Sequence, residues 1–478
     1  MATDRPVPGN TAGKDHQGHD VEKDGGDQRR ASWHQSLSKG PGYEKGDPFG
    51  EDVEGEAGDV RYRTLEWWQA GMIMIAETIS LGILSLPSVL ASVGMIAGII
   101  LIAGLGVIAT YSGYVIGQFK IAYPWVHSMA DAGEILFQPL GPRAAIIAKE
   151  IFGAAQTTFL IFSMASHILT WTICLNTLTD SSTCTIVWGI VGLVVFFIFD
   201  IPRTLKKVSW LSIVSFASIL SAVLITMVDV GITKPIGNSS PSATTHTAFH
   251  SAFLSVSNIV FAYAGHVSFF SFISEFKNPA EFPKALALLQ IADTTLYIVV
   301  AIVVYRYVGA DVDSPALGSA SSAVMKKIAY GVAIPTIIIA GVIYGHVASK
   351  YIYVRIFRGT KHMSKRTFLA TGSWIAIVLT LWVIAWIIAE SIPNFNNLLA
   401  LISSLFASWF TYGITGPLWW NINSGRMWSS PRKIFLSIVN IGMFLLGATI
   451  CGIGLYASGY AIHAEGGGGS WTCASNAQ

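Results

Sequence analysis

The sequence predicts an all-α integral membrane protein with eleven transmembrane helices, arranged as a 5+5 inverted repeat with broken helices 1 and 6 plus one accessory helix. Hydrophobic residues make up 52% of the chain and charged residues only 12%, whereas soluble domains carry about 25% charged residues. Apolar runs of membrane-spanning length alternate with polar breaks, and a crossing helix needs about 20 such residues. The first and sixth runs both contain polar residues and glycine at mid-span, which is typical of inverted repeats.

The eleven apolar runs define the predicted domain organisation. They cover residues 67–92, 94–118, 145–173, 185–201, 208–230, 249–274, 285–308, 328–350, 367–389, 396–420 and 432–460. The first repeat is expected at 67–230, an extracellular loop at 231–248, the second repeat at 249–420 and the accessory helix at 432–460. An offset of five helices gives the two repeats opposite directions across the membrane.

The two ends of the chain differ from the apolar body. Residues 1–60 are rich in glycine and charged residues and lack an aliphatic run, so they are predicted to be a disordered cytosolic tail. They also lack the positively charged start and apolar core of a signal peptide. Residues 461–478 are expected to form a short extracellular tail.

The distribution of Lys and Arg predicts the orientation of the chain. With the amino terminus inside, the loops on the cytosolic side carry 17 of these residues, whereas the opposite side carries Lys234, Arg306, Lys326 and Lys327. The positive-inside rule therefore places the amino terminus in the cytosol and the carboxyl terminus outside. The sequon at Asn238 falls in a loop already assigned to the outside, so Asn238 is a candidate glycosylation site.

The chain contains four cysteines, and they lie in or near the outer segments. They are Cys174, Cys184, Cys451 and Cys473. An oxidising compartment permits a disulfide there, and four cysteines allow three complete pairings. Cys184 is the preferred participant, and free packed thiols are the alternative.

The first interrupted run extends from Glu77 to Pro87. It places an acid, hydroxyl side chains, a glycine and a proline at membrane depth. Irregular backbone is tolerated at that depth only where it is buried in protein or lines a polar cavity. The sixth run contains a second interruption from Phe261 to Ser268, followed by Glu275-Phe276-Lys277-Asn278-Pro279. Matching interruptions in two halves indicate a binding site between them.

These segments resemble a known family. The stretch from Ile79 to Pro87, the Trp67-Trp68-Gln69 entry and the exit at Glu275–Pro279 are similar to the fungal neutral amino acid permeases of the amino acid/auxin permease family. The resemblance covers about residues 47–460, including Asp47-Pro48-Phe49-Gly50. It implies a leucine-transporter-like fold and symport of amino acids with protons. The Gly-x-Gly common in the wider family has Ser80 in place of its first glycine.

An amino acid substrate requires partners for a carboxylate and for an ammonium group. Helix starts and free backbone N–H groups bind anions, and free carbonyl groups bind cations. The predicted substrate-binding residues in the two interruptions are Ile79, Ser80, Leu81, Gly82, Ile83, Phe261, Ala262, Tyr263 and Gly265. Tyr344 on the eighth span is a further lining candidate.

Ionisable residues within spans are costly, at about 2.5 to 3.5 kcal/mol on insertion scales. Glu77, His266 and His346 are predicted to carry the coupling proton, because desolvation favours the neutral form of a carboxyl group and imidazole exchanges protons near neutral pH. An imidazole beside a carboxylate is a poor sodium site, so proton coupling is preferred. His167 and Asp293 are interpreted as packing residues.

No His-Glu-x-x-His, Cys-x-x-Cys, Walker or Gly-x-Ser-x-Gly motif occurs in the sequence, so no enzymatic activity, cofactor or metal site is predicted. The driving force is expected to be a proton gradient. The partners are expected to be an amino acid, protons and the lipid bilayer, without nucleic acid, and the oligomeric state is left open.

The predicted function is proton-coupled symport of neutral aliphatic or aromatic L-amino acids into the cell by alternating access. Two alternatives remain at this point: a sodium-coupled symporter, and an amino acid sensor of the same fold with little transport. The predicted location is the plasma membrane, with the vacuolar membrane as the alternative.

Overall fold

In this computed structural model, the described residues are 63–203, 205–235, 241–363, 365, 367–464 and 470–477. The side chains of residues 205–208 are not among them. The predicted tail of residues 1–60 and the sequon at Asn238 lie outside the described residues.

The described residues form fourteen α-helices, four short 3₁₀ turns and one π-helix. The α-helices are α1 (Trp67–Val93), α2 (Met95–Ala122), α3 (Met129–Phe137), α4 (Pro142–Leu178), α5 (Thr185–Phe199), α6 (Leu205–Thr233), α7 (Phe249–Ala262), α8 (His266–Ser274), α9 (Phe282–Val308), α10 (Ala323–Phe357), α11 (Phe368–Ser391), α12 (Phe395–Ile402), α13 (Thr415–Ile422) and α14 (Pro431–Ala464). The 3₁₀ turns are Gln138–Leu140, Pro279–Glu281, Gly309–Asp311 and Ala316–Ser319, and the π-helix Ser403–Gly413 joins α12 to α13.

Ten helical segments are long and apolar enough to cross a membrane within the described part of the chain. The helix α5 is apolar but has only 15 residues, which is short for a crossing of about 20 residues. Every predicted apolar run coincides with a helical segment, and the all-helical membrane architecture is confirmed.

The helix α1 begins at a capping box and ends at a glycine with a positive φ angle. At its start, the Glu66 backbone N–H donates to Gln69 Oε1 at 3.1 Å, as in a capping box. At its end, Gly94 has φ +89°, and a Cβ there would lie 2.5 Å from Thr244 Cα. Glycine therefore allows both the turn into α2 and the close approach of the loop before α7.

The predicted break in the first span is wrong, because α1 is a continuous α-helix from Trp67 to Val93. Three hydroxyl groups of this helix, those of Thr78, Ser85 and Ser88, donate to its own backbone. Thr78 Oγ1 donates to Met74 O at 2.9 Å, and Ser85 Oγ donates to Gly82 O at 2.9 Å. Pro87 removes only one backbone donor. Because α1 is largely buried in protein, its polar side chains contact other helices and require no break.

The predicted break in the sixth span is confirmed. The helix α7 ends at Ala262 and α8 begins at His266, leaving Tyr263–Gly265 between them. The helix α1 packs against α6, α7, α9 and α10, which places it at the centre of the bundle. A Cβ on Gly82 would lie 2.6 Å from Ala262 Cα, so α1 touches the end of α7 directly.

Candidate functional site

The break between α7 and α8 lies against the middle of α1. A Cβ added at Gly265 would lie 2.7 Å from Thr78 Cγ2 and 3.4 Å from Glu77 Oε2. The helix α9 contributes Asp293 and Tyr297 to the same region, and α10 contributes Tyr344. Three elements distant from α1 in sequence, the α7–α8 break, α9 and α10, therefore converge on the middle of α1 around Glu77.

Glu77 is buried at this point and has a hydroxyl partner. Ser268 Oγ of α8 donates to Glu77 Oε1 at 2.6 Å, whereas Glu77 Oε2 has no hydrogen-bond partner among the described residues. The side chain of Glu77 is 2% exposed. No described lysine, arginine or histidine forms an ion pair with it. A buried carboxylate without a cation is costly, so this group requires a proton or another cation to become neutral.

Asp293 is a second buried acid near Glu77. It lies beside Thr78, and its charge and that of Glu77 act on each other. Thr78 donates its only hydroxyl proton to Met74 O, so towards Asp293 it can only accept. A protonated Asp293 can donate to Thr78, but a carboxylate cannot. Asp293, interpreted from the sequence as a packing residue, thus lies beside Glu77 in the structure as a second buried carboxyl group.

Two tyrosines connect this centre to backbone carbonyl groups. Tyr344 OH donates to Glu77 O at 3.3 Å, and Tyr297 OH lies 3.0 Å from Thr78 O and 2.7 Å from Ala262 O. Ala262 is the last residue of α7, where helix carbonyls lack partners within the helix. Tyr297 thus links α9 to α1 and to the end of α7.

The carbonyl groups predicted to bind an ammonium group already have partners. Phe261 O accepts from Ala264 N at 2.9 Å, Ala262 O from Tyr297, and Tyr263 O lies 3.0 Å from His266 Nδ1. The Tyr263 ring points towards α2, where its hydroxyl donates to Ile102 O at 3.1 Å.

The expected free N–H groups are also absent from the first span. Ile79, Ser80, Leu81, Gly82 and Ile83 lie inside continuous α1, where N–H groups bond to carbonyls four residues earlier. The prediction that these N–H groups bind a carboxylate is therefore wrong for this conformation. Ser80 Oγ is buried without a hydrogen-bond partner among the described residues, so its side chain is the polar group that this stretch can still offer.

His266 is the first residue of α8 and is buried. Its Nδ1 lies 3.0 Å from Tyr263 O and its Nε2 lies 2.8 Å from Ala109 O. Both neighbours are acceptors, and only the imidazolium form has two N–H donors. His266 therefore joins the break to α2 through contacts that depend on its proton content.

His346 does not lie beside Glu77, contrary to the prediction of an imidazole and carboxylate shared by the first and eighth spans. His346 Nδ1 lies 4.0 Å from Asp200 Oδ1, and Trp382 Nε1 donates to Asp200 Oδ2 at 3.0 Å. Tyr344 and His346 are two residues apart on α10, so they point to different faces of the helix. Tyr344 contacts α1, whereas His346 faces the end of α5.

The end of the bundle near the start of α1 is closed by polar contacts. Leu65 N donates to Glu275 O at 2.9 Å, and Lys277 N donates to Leu65 O at 2.9 Å. The Glu275 carboxylate forms a buried ion pair with Lys350 of α10. The exit motif noted in the sequence therefore connects the start of α1, the end of α8 and α10.

The opposite end of the bundle carries a disulfide. Cys184 is bonded to Cys473, whereas Cys174 and Cys451 are free thiols. No group of three or more His, Cys, Asp or Glu residues suited to a metal ion was found among the described residues.

Sequence reasoning found Glu77 and the sixth-span break but missed Ser268, Asp293 and Tyr297. Asp293 was visible as an acid within an apolar run. Tyr297 follows it by four residues, which places both on one helix face. The identity of the helix that this face contacts is a property of the tertiary structure.

Comparisons with known proteins agree with this architecture. Residues 63–459 match the family model described as transmembrane amino acid transporter protein. The chain is 35% identical over 417 residues to the N amino acid transport system protein of Neurospora crassa, covering 85% of this chain and 87% of that protein. It is 30% identical over 392 residues to a transmembrane transporter of Fusarium pseudograminearum, covering 80% of each.

Among solved structures, the chain is similar to Mhp1, a nucleobase-cation-symport-1 family transporter in a closed conformation with bromovinylhydantoin bound. The TM-score is 0.48 at 13% identity, and the match covers 86% of this chain and 96% of that chain.

Proposed function

We propose, because this chain belongs to the transmembrane amino acid transporter family, that it carries neutral amino acids across a membrane together with protons. The observation that carries the proposal is the pair of buried carboxyl groups, Glu77 and Asp293, beside the break between α7 and α8. Neither acid forms an ion pair with a described residue.

The pair supports proton coupling because its charge has to change during a transport cycle. When the centre opens to water, hydration stabilises carboxylates. When the centre closes, as here, two nearby carboxylates without a cation repel each other, and protonation removes the repulsion. The acids would then take up protons on one side of the membrane and release them on the other. Each substrate molecule that crosses through the closed state would be accompanied by these protons.

The substrate is proposed to enter between α1 and the α7–α8 break. The Ser80 hydroxyl, three residues after Glu77 on α1, has no hydrogen-bond partner among the described residues, and each carbonyl of the break retains a second lone pair for an ammonium group. The direct contact of Gly82 with Ala262 requires α1 and α7 to separate before a substrate fits. Alternating access by movement of these elements supplies that separation.

His266 is proposed to assist coupling from the break itself. Loss of a proton from an imidazolium would leave one of its two carbonyl contacts, to Tyr263 O or Ala109 O, without a donor. That loss would weaken the connection between the break and α2. His346 is proposed as a secondary proton site with Asp200, remote from Glu77.

The membrane and orientation are also proposals. Positive charges favour a cytosolic amino terminus, and the disulfide between Cys184 and Cys473 favours an oxidising compartment on the opposite face. We propose the plasma membrane. Enzymatic deglycosylation tests this orientation, since Asn238 would carry a glycan only if its loop faces the secretory lumen.

The experiment is uptake of radiolabelled leucine and phenylalanine into cells that express the full chain, with external pH and sodium varied independently. We expect wild-type uptake to rise at acidic pH and to be unchanged without sodium. Glu77→Gln and Asp293→Asn cannot exchange the proton, so their uptake should lose its pH dependence and fall by about tenfold, a change of about 1.4 kcal/mol.

The matched control is Glu281→Gln, which removes a carboxylate that pairs with Lys284 at the surface. It should retain the wild-type pH profile. Sodium-dependent uptake, or unchanged pH dependence in both Glu77→Gln and Asp293→Asn, would refute proton coupling through this pair. Absence of amino acid uptake by a correctly localised wild-type chain would refute the transport proposal.

A further inference from the structure

A second polar cavity lies at the end of the bundle that carries the disulfide. It has a volume of about 320 Å³. Its walls come from α4, the start of α5, the end of α11, the start of α12, the end of α14 and residues 470–477, which we call the terminal strap. The helices α11 and α12 supply none of the polar contacts described for the centre at Glu77, so this cavity is distinct from that site.

The terminal strap is held over the cavity by a disulfide and by hydrogen bonds to three helices. Cys473 is bonded to Cys184, and Thr185 Oγ1 donates to Ala474 O at 2.7 Å. Asn476 Nδ2 donates to Thr172 Oγ1 of α4 at 2.8 Å, and Trp471 N donates to Glu390 O of α11 at 3.3 Å. The strap is therefore a fixed roof of the cavity.

The cavity carries one negative side chain. Glu390 is the single ionisable residue among the lining residues, and its side chain is 6% exposed. The Trp386 indole lies beside its carboxylate, and Glu390 forms no ion pair with a described residue. One oxygen of this carboxylate, Glu390 Oε1, packs so closely against Gly189 of α5 that a Cβ there would clash with it. A carboxylate without a cation at the edge of this partly open cavity favours a ligand that brings one, such as a primary ammonium group.

A partial positive charge lies on another wall of the same cavity. Asn394 and Phe395 line it at the start of α12, where Asn394 Oδ1 accepts from Asn397 N at 3.0 Å. The Asn397 N–H is thereby capped, and the earlier N–H groups of the helix, those of Phe395 and Asn396, have no acceptor within the helix and attract anions. The cavity thus offers a carboxylate and a helix start to a single small ligand.

We infer that this cavity is a second binding site for a free amino acid, with the ammonium group at Glu390 and the carboxylate at the start of α12. The volume is at the lower end of the range of about 300 to 1,000 Å³ for ligand pockets, which suits a small zwitterion. The choice of an amino acid, rather than another zwitterion, rests on the proposed function.

The test measures the binding stoichiometry of radiolabelled leucine on the purified full chain in lipid nanodiscs. Wild type should bind two molecules per chain, Glu390→Gln one molecule, and Glu390→Asp two with weaker occupancy of the outer cavity. The control Asp180→Asn removes an exposed carboxylate that pairs with Lys327 on the same face, and it should bind two. The molecule still bound by Glu390→Gln shows that this variant is folded.

Uptake by the same variants separates this inference from the proposed function. We expect Glu390→Gln to transport leucine with a KM raised about tenfold and an unchanged maximal rate, because the central site is intact. Uptake with one bound leucine in both wild type and Glu390→Gln overturns the second site alone. Leucine binding that depends on Glu390, without any uptake, supports the second binding site and overturns the transport proposal. The absence of any leucine binding overturns the second binding site.

Discussion

The Tyr297 hydroxyl lies between two carbonyl groups whose residues are far apart in sequence, Thr78 O in α1 and Ala262 O at the end of α7. Tyr297→Phe removes this donor and leaves buried carbonyls without it, at a cost of about 1 to 3 kcal/mol. We expect a lower Tm for the purified protein and slower leucine uptake, since the end of α7 loses its tie to α9.

The control for this change is Tyr456→Phe, because Tyr456 is an exposed tyrosine of α14. It should leave both Tm and uptake at the wild-type values. A Tyr297→Phe protein with unchanged Tm would show that the hydroxyl contributes no net stability at this junction.

Asp131, in the short helix α3, provides a test of charge outside the membrane spans. Its carboxylate lies 2.7 Å from His127 Nδ1 and 3.3 Å from Lys149 Nζ. Burial alone would raise its pKa, but His127, with its charge and hydrogen bonds, and Lys149 together hold the pKa of Asp131 well below its usual range. The stabilisation is therefore fully present above the unfolded pKa of about 4 and is lost only as the pH falls towards the lower folded pKa.

Asp131→Asn should therefore destabilise the protein by about 1 to 3 kcal/mol, because the charge-assisted contact with His127 is lost, whereas Lys149 keeps Glu134 as a partner. Thermal unfolding at about pH 5 and about pH 8, both above the unfolded carboxyl pKa, measures the effect. The difference in stability between wild type and Asp131→Asn should be no smaller at about pH 5 than at about pH 8. An advantage that disappears by about pH 5 would mean that the folded pKa is not lowered.

At the residue scale, the sequence identifies Glu77 because an acid within an apolar run is costly and therefore informative. The same reasoning applied to Asp293 left it as a packing residue, since the direction in which α9 faces is set by its contact with α1. His346 was assigned to the wrong partner for the same reason. Helical periodicity identifies residues that share a face but not the helix that the face contacts.

At the element scale, the contact between α1 and α7 depends on the absence of a side chain at Gly82. A Cβ there would lie 2.6 Å from Ala262 Cα, and backbone cannot move aside as a flexible side chain can. Gly82→Ala should therefore destabilise the protein by about 1 to 3 kcal/mol and reduce uptake. The comparison is Gly104→Ala in α2, where an added Cβ has nothing within 4 Å.

Gly104→Ala should be neutral or stabilising by up to about 1 kcal/mol, because alanine favours helix more than glycine does. Thermal unfolding of both variants in one detergent makes the comparison direct. Equal Tm values for the two variants would contradict the close helix contact at Gly82.

The outcomes of the two predicted helix breaks differ, because a break depends on tertiary contacts as well as on local sequence. Tyr263–Gly265 separates α7 from α8, and Gly265 fits closely against Thr78 and Glu77, so the polar residues and glycine of the sixth run predicted this break correctly. The polar residues of α1 suggested a second break, yet the hydroxyl groups of Thr78 and Ser85 bond to the backbone of their own helix and Glu77 bonds to Ser268. Polar composition at membrane depth predicts a site more reliably than it predicts irregular backbone.

At the scale of the whole molecule, Glu77, Asp293 and Tyr297 are buried, and both ends of the bundle carry fixed contacts. Near the start of α1, Glu275 pairs with Lys350 and binds the segment before α1. At the other end, the terminal strap covers the outer cavity and is fixed by Cys184 and Cys473. Composition and charge distribution predicted the membrane architecture. They could not predict the cysteine pairing or the position of the terminal strap, because both depend on helix ends that meet only in the folded chain.

Amino acid movement is proposed to be coupled to protons through Glu77 and Asp293. The most direct measurement uses the purified chain in sodium-free proteoliposomes that contain a pH-sensitive dye. An inward leucine gradient should acidify the lumen of liposomes with the wild-type protein and should leave the lumen pH unchanged with Glu77→Gln. Leucine entry without any change in lumen pH, or acidification that persists in both Glu77→Gln and Asp293→Asn, would contradict the account.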